Sequence, residues 1–244
     1  MTSMLALWRL SRGFVHALAG FFTILLVFPR LSQEAREQRV QAWASRMLQI
    51  LGIAMRVEGE PPLAGPMLLV ANHLSWLDIL VMHAARHCRF VSKDAVSRWP
   101  LIGRMATGAG TLYIRRDSRR DALRVVHHMA ESLQAGDVVA VFPEGTTGDG
   151  RAMLPFHGNL IQAAISAQAP VQPVGLRFLD AASGNVSFAA SYINDDTLIG
   201  SLWCTLTAPP IVARVRFGTP QEAAGRDRRA WADDLQAEVQ RLID

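Results

Sequence analysis

Lysine is almost absent from this chain of 244 residues: Lys93 is the only one, and the other basic residues are arginines. Charged residues make up only 19% of the sequence, whereas 50% of it is hydrophobic. Disordered chains combine low hydrophobicity with high charge, so this composition excludes disorder as the main character. The two cysteines, Cys88 and Cys204, are too few for a disulfide scaffold, and no Cys/His cluster exists to hold structural zinc. We therefore expect one sizeable domain with reduced thiols, no metal and no cofactor.

The N-terminal segment 13–29 carries no formal charge and lies between Arg12 and Arg30. A membrane-spanning helix needs about 20 apolar residues and at least about 17, so this segment is at the lower limit. A cleaved signal peptide is the rival interpretation, but the sequence at 28–31 makes a poor cleavage site. The other rival interpretation is a helix buried in the core of the domain. We predict a retained membrane anchor that is either interfacial or barely spanning.

The next segment, 32–51, is predicted to be a second helix with Ser32 as its N-cap. Trp43, Met47 and Ile50 fall on one apolar face, while arginines occupy other faces. A basic amphipathic helix suits a bilayer surface, and it suits packing on the domain equally well. Residues 1–51 are therefore assigned to the anchor and residues 52–244 to the main domain.

From residue 52 onward, short apolar runs alternate with helical patterns. This alternation predicts an α/β fold with a mainly parallel central sheet flanked by helices. Strands are predicted at 67–71, 89–92, 111–114, 138–142, 171–176, 186–190 and 211–217. Helices are predicted at 76–86, at 96–107 with a break at Pro100, and at 118–134, 159–168 and 229–242.

His73 and Asp78 follow the predicted strand 67–71 directly. Residues five apart lie about 140° apart on a helix, so both cannot share one helical face. The spacing fits His73 in the strand-to-helix turn and Asp78 in the first helical turn. A carboxylate bonded to one imidazole nitrogen fixes the tautomer and stabilises the imidazolium, which makes the pair a candidate general base. The pair by itself occurs by chance often enough that a structural role is the alternative.

Two further polar blocks follow predicted strands. The segment 110–116 ends in Arg115 and Arg116, which can clamp a phosphate or carboxylate, although a solvated turn is the preferred interpretation for Arg115. The segment 141–151 contains Glu144 and several glycines that allow a close approach of the backbone to a ligand. No P-loop is present, and no Gly-x-Ser-x-Gly motif supports an α/β-hydrolase.

The order of these blocks resembles that of the glycerolipid acyltransferase family, whose type member acts on lysophosphatidic acid. The blocks are Asn-His-x4-Asp at 72–78, Tyr-Ile-x-Arg at 113–116, Phe-Pro-Glu-Gly-Thr at 142–146 and Val-Gln-Pro-Val at 171–174. The resemblance covers about residues 60–180. It implies transfer of an acyl chain from acyl-ACP or acyl-CoA to the hydroxyl of a lysolipid, at the cytoplasmic face of the cell inner membrane.

The resemblance also implies roles for individual residues. His73 matches the family's general base and Asp78 its orienting partner. The matched positions implied to bind substrate are Asn72, Lys93, Arg116, Glu144, Gly145, Thr146 and Pro173. Ser75 is interpreted as a helix-start residue, and Trp76, Trp99 and Trp203 as packing residues.

One position departs from the family pattern. The family usually has arginine after Glu-Gly-Thr, but here that position is Thr147. Arg151 or Arg116 could substitute for the missing guanidinium. Otherwise, the acceptor lacks a phosphate monoester. We expect 1-acylglycerol-3-phosphate or a related lysophospholipid as acceptor, with lyso-ornithine lipid as the alternative.

The stretch 86–124 is strongly basic, which indicates an anionic partner. Nucleic acid, a membrane surface and a phosphorylated substrate all fit this charge. The apolar N-terminus and the lack of a recognition motif argue against nucleic acid, so we expect none as a partner. A lipid-binding protein without turnover remains the other rival class.

Overall fold

A computed structural model describes residues 2–114, 119–193 and 196–244. Its centre is a seven-stranded sheet with the order β1-β7-β6-β2-β5-β3-β4. The strands are Ile53–Glu58 (β1), Met67–Ala71 (β2), Arg89–Lys93 (β3), Leu112–Ile114 (β4), Val138–Val141 (β5), Val171–Asp180 (β6) and Ile211–Phe217 (β7).

Neighbouring strands are parallel except for β6 and β7, which pair antiparallel. β2 and β5 lie in the middle of the sheet, and every residue of both is buried. Strands covered on both faces are continuous apolar runs, which is the pattern these two segments show. The predicted α/β class with a mainly parallel sheet is confirmed.

Helices cover both faces of the sheet. They are Thr2–Leu26 (α1), Gln33–Leu51 (α2), Leu77–Ala85 (α3), Asp94–Ser97 (α4), Ile102–Gly108 (α5), Arg119–Gln134 (α6), Gln162–Ala167 (α7), Leu198–Thr207 (α8) and Arg228–Ile243 (α9), with a 3-10 turn at Phe28–Arg30. Two hydrophobic cores result. The first includes buried residues of α2, α3 and α8, and the second includes those of α6, α7 and α9.

The N-terminal helices pack on the domain. Ser32 caps α2 by accepting a hydrogen bond from the Ala35 amide, as predicted. Leu48 and Leu51 of α2 are buried in the first core, so this helix packs on the domain, which is one of the two alternatives given for it. No helix of the described residues combines the length and hydropathy needed to cross a bilayer.

Three elements differ from the prediction. The predicted strand 186–190 is wrong, since the segment makes only an isolated bridge between Val186 and Leu179. The edge strand β1 was missed because its alternating apolar and charged residues form no apolar run. Helix α8 was missed because it carries no charged residue, so no charged face alternates with an apolar one in the sequence.

Candidate active site

The turn after β2 places the His73 ring against a buried carboxylate. Asp78 lies in the first turn of α3 and is fully buried. Its Oδ2 atom lies 2.8 Å from Nδ1 of His73, and it also accepts hydrogen bonds from the amides of Leu74 and Ser75. Because a carboxylate only accepts, Nδ1 carries the proton and Nε2 is the basic nitrogen. The predicted placement of the two residues in turn and helix is confirmed.

Aromatic stacking fixes the plane of the imidazole. The His73 ring lies parallel to that of Phe142, with centroids 4.0 Å apart. Phe142 directly follows β5, and β5 pairs with β2 in parallel, so the carboxyl ends of both strands meet at one edge of the sheet. Chemistry in α/β folds is usually located at that edge. The bond to Asp78 and the stack on Phe142 together define the direction of Nε2.

Glu144 holds the His73 turn to the loop after β5. Its Oε1 accepts the amide of His73 at 2.6 Å, and its Oε2 accepts the amide of Leu154 at 2.8 Å. Burial raises the pKa of this carboxyl above its ordinary value, although the two amide bonds oppose the shift. The amide of Gly148 donates to the carbonyl of His73 at 2.8 Å. The loop after β5 is therefore bonded to the His73 turn at both the backbone amide and the backbone carbonyl of His73.

A third segment is attached to the same turn. The hydroxyl of Thr147 donates to the carbonyl of Tyr192, and the amide of Tyr192 donates to the carbonyl of Leu74 at 3.1 Å. Thr147 therefore joins the loop after β5 to the segment that precedes α8. Thr147 thus has a structural role, although it stands where the glycerolipid acyltransferases usually have arginine.

A large chamber of about 1410 Å³ opens beside His73. Its wall comes from α1, α2, α3, α5 and the ends of β3 and β5, and most of its lining side chains are apolar. Among the described residues, the cationic side chains on its wall are Lys93, Arg39 and Arg46, and the acidic one is Asp149. The chamber thus combines a largely apolar wall with an excess of positive charge.

Helices α1 and α2 form one wall of the chamber through a reciprocal pair of bonds. The indole of Trp43 donates to the carbonyl of His16 at 3.1 Å, and Nε2 of His16 lies 3.1 Å from the carbonyl of Trp43. Their rings also stack, with centroids 5.2 Å apart. A Cβ added at Gly20 would lie 2.5 Å from Nε1 of Trp43, so glycine there allows the close approach.

The structure brings part of the predicted set to the chamber. His73, Lys93, Gly145 and Thr146 line it, and Asp78 lies behind His73. Asn72 and Glu144 are buried outside its wall, where the Asn72 side chain bridges β2 to the backbone of Leu176 on β6.

The other predicted residues lie away from the chamber wall or outside the described chain. Pro173 is buried within β6, where it pairs with Val70 of β2. Arg151 is exposed, forms an ion pair of 3.7 Å with Asp149 and stacks on Phe188. Arg116 lies outside the described residues.

Sequence reasoning missed several residues of the wall. Trp76 and Trp99 were expected to have only packing roles, but both line the chamber. Phe142 lies within a motif that was noted, yet no rule of spacing indicates that its ring stacks on His73. The wall contributed by His16 and Trp43 depends on how two helices dock, for which the sequence carries no direct signal.

The fold and the site define an α/β protein that holds a histidine–aspartate pair beside a largely apolar chamber. The acyltransferase family profile matches residues 54–177. The lyso-ornithine lipid O-acyltransferase of Pseudomonas aeruginosa is 37% identical over 204 residues, which cover 84% of this chain and 78% of that protein. The 1-acyl-sn-glycerol-3-phosphate acyltransferase of Neisseria meningitidis is 36% identical over 213 residues, covering 86% and 82%. The chain therefore belongs to the acyltransferase family.

A solved structure shares the fold. The crystal structure of the 1-acyl-sn-glycerophosphate acyltransferase from Thermotoga maritima superposes with a TM-score of 0.74. The match covers 98% of this chain and 93% of that one at 19% sequence identity. At this identity the likeness concerns the fold.

Proposed function

We propose that the protein transfers a fatty acyl chain from acyl-ACP or acyl-CoA to the free hydroxyl of a lysolipid. The observation that carries this proposal is the His73–Asp78 pair at the wall of a large apolar chamber. A base placed beside a space for an acyl chain suits a reaction in which a hydroxyl attacks a thioester. The related proteins named above, which act on lyso-ornithine lipid and on 1-acylglycerol-3-phosphate, support the same class of acceptor.

In the proposed reaction, Nε2 of His73 takes the proton of the acceptor hydroxyl as its oxygen attacks the thioester carbonyl. The C–O bond forms, the tetrahedral intermediate collapses, and the C–S bond breaks. The leaving thiolate then takes the proton from His73. Asp78 stabilises the imidazolium between these two proton transfers. Glu144 and Asn72 act as positioning residues, since their side chains hold the backbone of the His73 turn and of β6.

The chamber is large enough to hold the acyl chain of the donor together with part of the acceptor lipid. Small-ligand pockets usually measure about 300–1,000 Å³, whereas this chamber has about 1410 Å³. We assign the apolar part to the donor chain and the part near Lys93 and Thr146 to the acceptor.

Charge favours an anionic acceptor. Lys93, Arg39 and Arg46 are on the chamber wall, so a phosphate group has cations to meet. The first candidate is therefore 1-acylglycerol-3-phosphate or a related lysophospholipid. Thr147 favours the second candidate, lyso-ornithine lipid. Its hydroxyl donates to the carbonyl of Tyr192, and the position has no guanidinium that could bind a phosphate.

The outer face of α1 supports a membrane-bound enzyme. Phe14, Val15 and Phe22 are exposed and lie on one side of the helix, together with Met4, Leu7, Trp8, Leu25 and Leu26. An amphipathic helix of this kind binds in the plane of a membrane interface. We propose that residues 1–51 attach the enzyme to the cytoplasmic face of the inner membrane, where both donors are available, and that residues 52–244 carry the chemistry.

The test is an acyl-transfer assay on vesicles with labelled acyl-ACP or acyl-CoA and a panel of lysolipids. His73→Ala is expected to lower transfer by about 10²–10⁴-fold, which is the usual contribution of a general base. His128→Ala, an exposed histidine on α6, serves as the matched control. Full activity of a folded His73→Ala protein would refute the mechanism, and no transfer by the wild type from either donor would support lipid binding without turnover.

Substitutions at Thr147 distinguish between the two candidate acceptors. Thr147→Arg is expected to raise transfer to 1-acylglycerol-3-phosphate relative to lyso-ornithine lipid if a guanidinium at this position recognises phosphate. Thr147→Val removes the bond to Tyr192 without adding charge, so it reports the cost of that bond alone. An equal effect of both variants on both acceptors would exclude Thr147 as a determinant of the headgroup.

A further inference from the structure

Helix α8 presents an outer face without charge. Ile199 is 79% exposed and Trp203 is 37% exposed, and Cys204 beside them is exposed as well. No residue from Thr197 to Pro210 carries a formal charge. A tryptophan and an isoleucine one helical turn apart form an exposed apolar patch on a helix that has no polar side facing the solvent.

The inner face of the same helix is firmly fixed. Ser201, Thr205 and Leu206 are buried, and Oγ of Ser201 accepts a hydrogen bond of 3.1 Å from the indole of Trp76. Trp76 and Leu198 both line the chamber. Helix α8 therefore has one side on the chamber wall and the opposite side in contact with the surroundings of the protein.

Helix α8 also packs directly against α1. Ala6 of α1 and Leu206 of α8 are buried in the same core, so the two helices lie in one layer on one face of the sheet. Their outer faces both point away from that face. Both helices also expose apolar side chains, since Phe14 of α1 is 59% exposed and Phe22 is 53% exposed, as Ile199 and Trp203 are on α8.

We propose that α8 is a second membrane-facing element, which contacts the lipid bilayer beside α1 and next to the chamber. The proposal rests on the membrane attachment of α1 proposed above. The composition of the patch favours lipid over water, because burial of apolar side chains is favourable and tryptophan is enriched at membrane interfaces. Contact at α8 places Leu198 and Trp76 of the chamber wall close to the lipid, so that a lysolipid need not cross open water to reach His73.

The chain contains a natural probe for this contact. Cys204 is exposed on the outer face of α8, whereas Cys88 is fully buried and burial raises the pKa of its thiol, so a thiol reagent modifies Cys204 selectively. The full chain is labelled at Cys204 with an environment-sensitive fluorophore. It is then mixed with vesicles of phosphatidylethanolamine and phosphatidylglycerol, with and without bromine on the acyl chains. We expect a blue shift on binding and quenching by the brominated lipid.

Two variants with one accessible cysteine each, in a Cys204→Ser background that keeps the buried Cys88, provide the controls. Val15→Cys places the probe on the apolar side of α1, and Leu123→Cys places it on α6, whose neighbouring residues pack in the second core on the other face of the sheet. Leu123 is 66% exposed, so a fluorophore there is as accessible as one on α8. The proposal expects quenching at positions 15 and 204 and none at 123.

The outcomes separate this inference from the proposed function. Quenching at position 15 without quenching at 204 would overturn the role of α8 and leave the attachment of α1 intact. No quenching at either position would overturn both. Quenching at all three positions would indicate non-specific adsorption and would also overturn the inference. A concentration-dependent blue shift of the 204 probe without vesicles would identify a second copy of the chain as the occupant instead.

A functional readout completes the test. Ile199→Glu with Trp203→Glu is expected to lower acyl transfer on vesicles by at least about tenfold, because two apolar contacts with the bilayer are lost and two charges are added. The same variant is expected to keep wild-type transfer to lysolipid dispersed in detergent micelles. An equal loss in both media would mean that the substitutions damage the chamber, and the role in membrane contact would then be refuted.

Discussion

The first and last helices of the described chain are both amphipathic, yet α1 packs on other helices, α9 packs on the sheet, and their outer faces differ. Helix α9 buries Trp231, Leu235 and Val239 and exposes charged residues such as Arg229 and Asp233. Helix α1 exposes apolar residues along its length, while His16, Gly20 and Thr23 face the chamber. A helix with a charged outer face is suited to water. Helix α1 is apolar on its outer side and lines a largely apolar chamber on its inner side, so both sides are suited to contact with lipid.

The same contrast holds for the two layers. Among the described residues, none of α6, α7 or α9 lines the chamber, and the second core reaches it through Leu160, Val91 and Val141. The layer that contains α1, α2 and α3 encloses most of the chamber. Because the carboxyl ends of β2 and β5 open toward this layer, the chemistry and the lipid contacts share one side of the molecule. Changes on the two sides should therefore have different consequences.

The largest expected effect is on the chamber side, at Asp78. Its Oδ2 accepts three hydrogen bonds, and its Oδ1 has no partner among the described residues. Asp78→Asn can keep the amide oxygen at the bonded position while losing the charge that stabilises the imidazolium. We expect kcat to fall by about 10²–10⁴-fold with the fold retained. Steady-state kinetics with far-UV circular dichroism checks this.

Asp234→Asn on α9 is the matched control, since it removes a carboxylate of the opposite layer that pairs with Arg226. It should leave kcat unchanged. A loss below tenfold at Asp78 would mean that the carboxylate only shapes the turn.

The second expected effect is on the other side, at Trp231. Its side chain is fully buried in the second core. Trp231→Ala is expected to lower the free energy of unfolding by about 3–5 kcal/mol, through lost apolar contacts and the cavity that remains. Urea unfolding measures the loss. The preference among acyl chain lengths, assayed well below the unfolding temperature, should not change. A changed preference would mean that the two layers are not independent.

The third prediction tests the outer faces directly. Phe14→Glu with Phe22→Glu on α1 should weaken vesicle binding by about a hundredfold, since burial of each phenylalanine stabilises binding by about 1.5–3 kcal/mol. Ala230→Glu with Ala237→Glu adds the same charges to exposed positions of α9 and should have no such effect. Flotation on a density gradient compares the two proteins. If the α1 variant and the α9 variant bound vesicles equally well, the outer face of α1 would have no special role in membrane binding.

The smallest expected effect concerns the inner face of α1. Gly20→Leu must displace the indole of Trp43, because even a Cβ would lie 2.5 Å from its Nε1 atom. The side chains then occupy part of the chamber, and we expect the preference for long over short acyl donors to fall by about tenfold. Competition between donors of different length gives this ratio. Ala237→Leu on α9 is the control, and an unchanged ratio for Gly20→Leu would place the chain elsewhere in the chamber.

Much of the central fold could be predicted, because buried parallel strands are continuous apolar runs and the turns between them are polar. The positions of β2 and β5 followed from such runs, and β1 did not, because an edge strand carries charged residues such as Arg56 and Glu58. The relation between His73 and Asp78 could be predicted for a geometric reason. Their spacing excludes one helical face and leaves a turn followed by a helix.

Roles that depend on packing could not be predicted. Asn72 and Glu144 stand in the right motifs, but whether their side chains meet substrate or backbone depends on β6 and on the loop at Leu154. Thr147 differs from the family pattern in a way that the sequence shows, while its bond to Tyr192 depends on a segment 45 residues later. Such contacts are set by distant parts of the chain and leave no local periodicity.

The sequence by itself determined the α/β class, the histidine–aspartate pair and the apolar character of the N-terminus, because each of these depends on local order and composition. Only the tertiary structure decided that α1 and α2 enclose a chamber, that Phe142 stacks on His73, and that α8 lies beside α1 with an uncharged outer face. The physical reason is that a helix with two apolar sides has no preferred partner in its own sequence. The docking of neighbouring elements determines which side faces the core, the chamber or the surroundings of the protein.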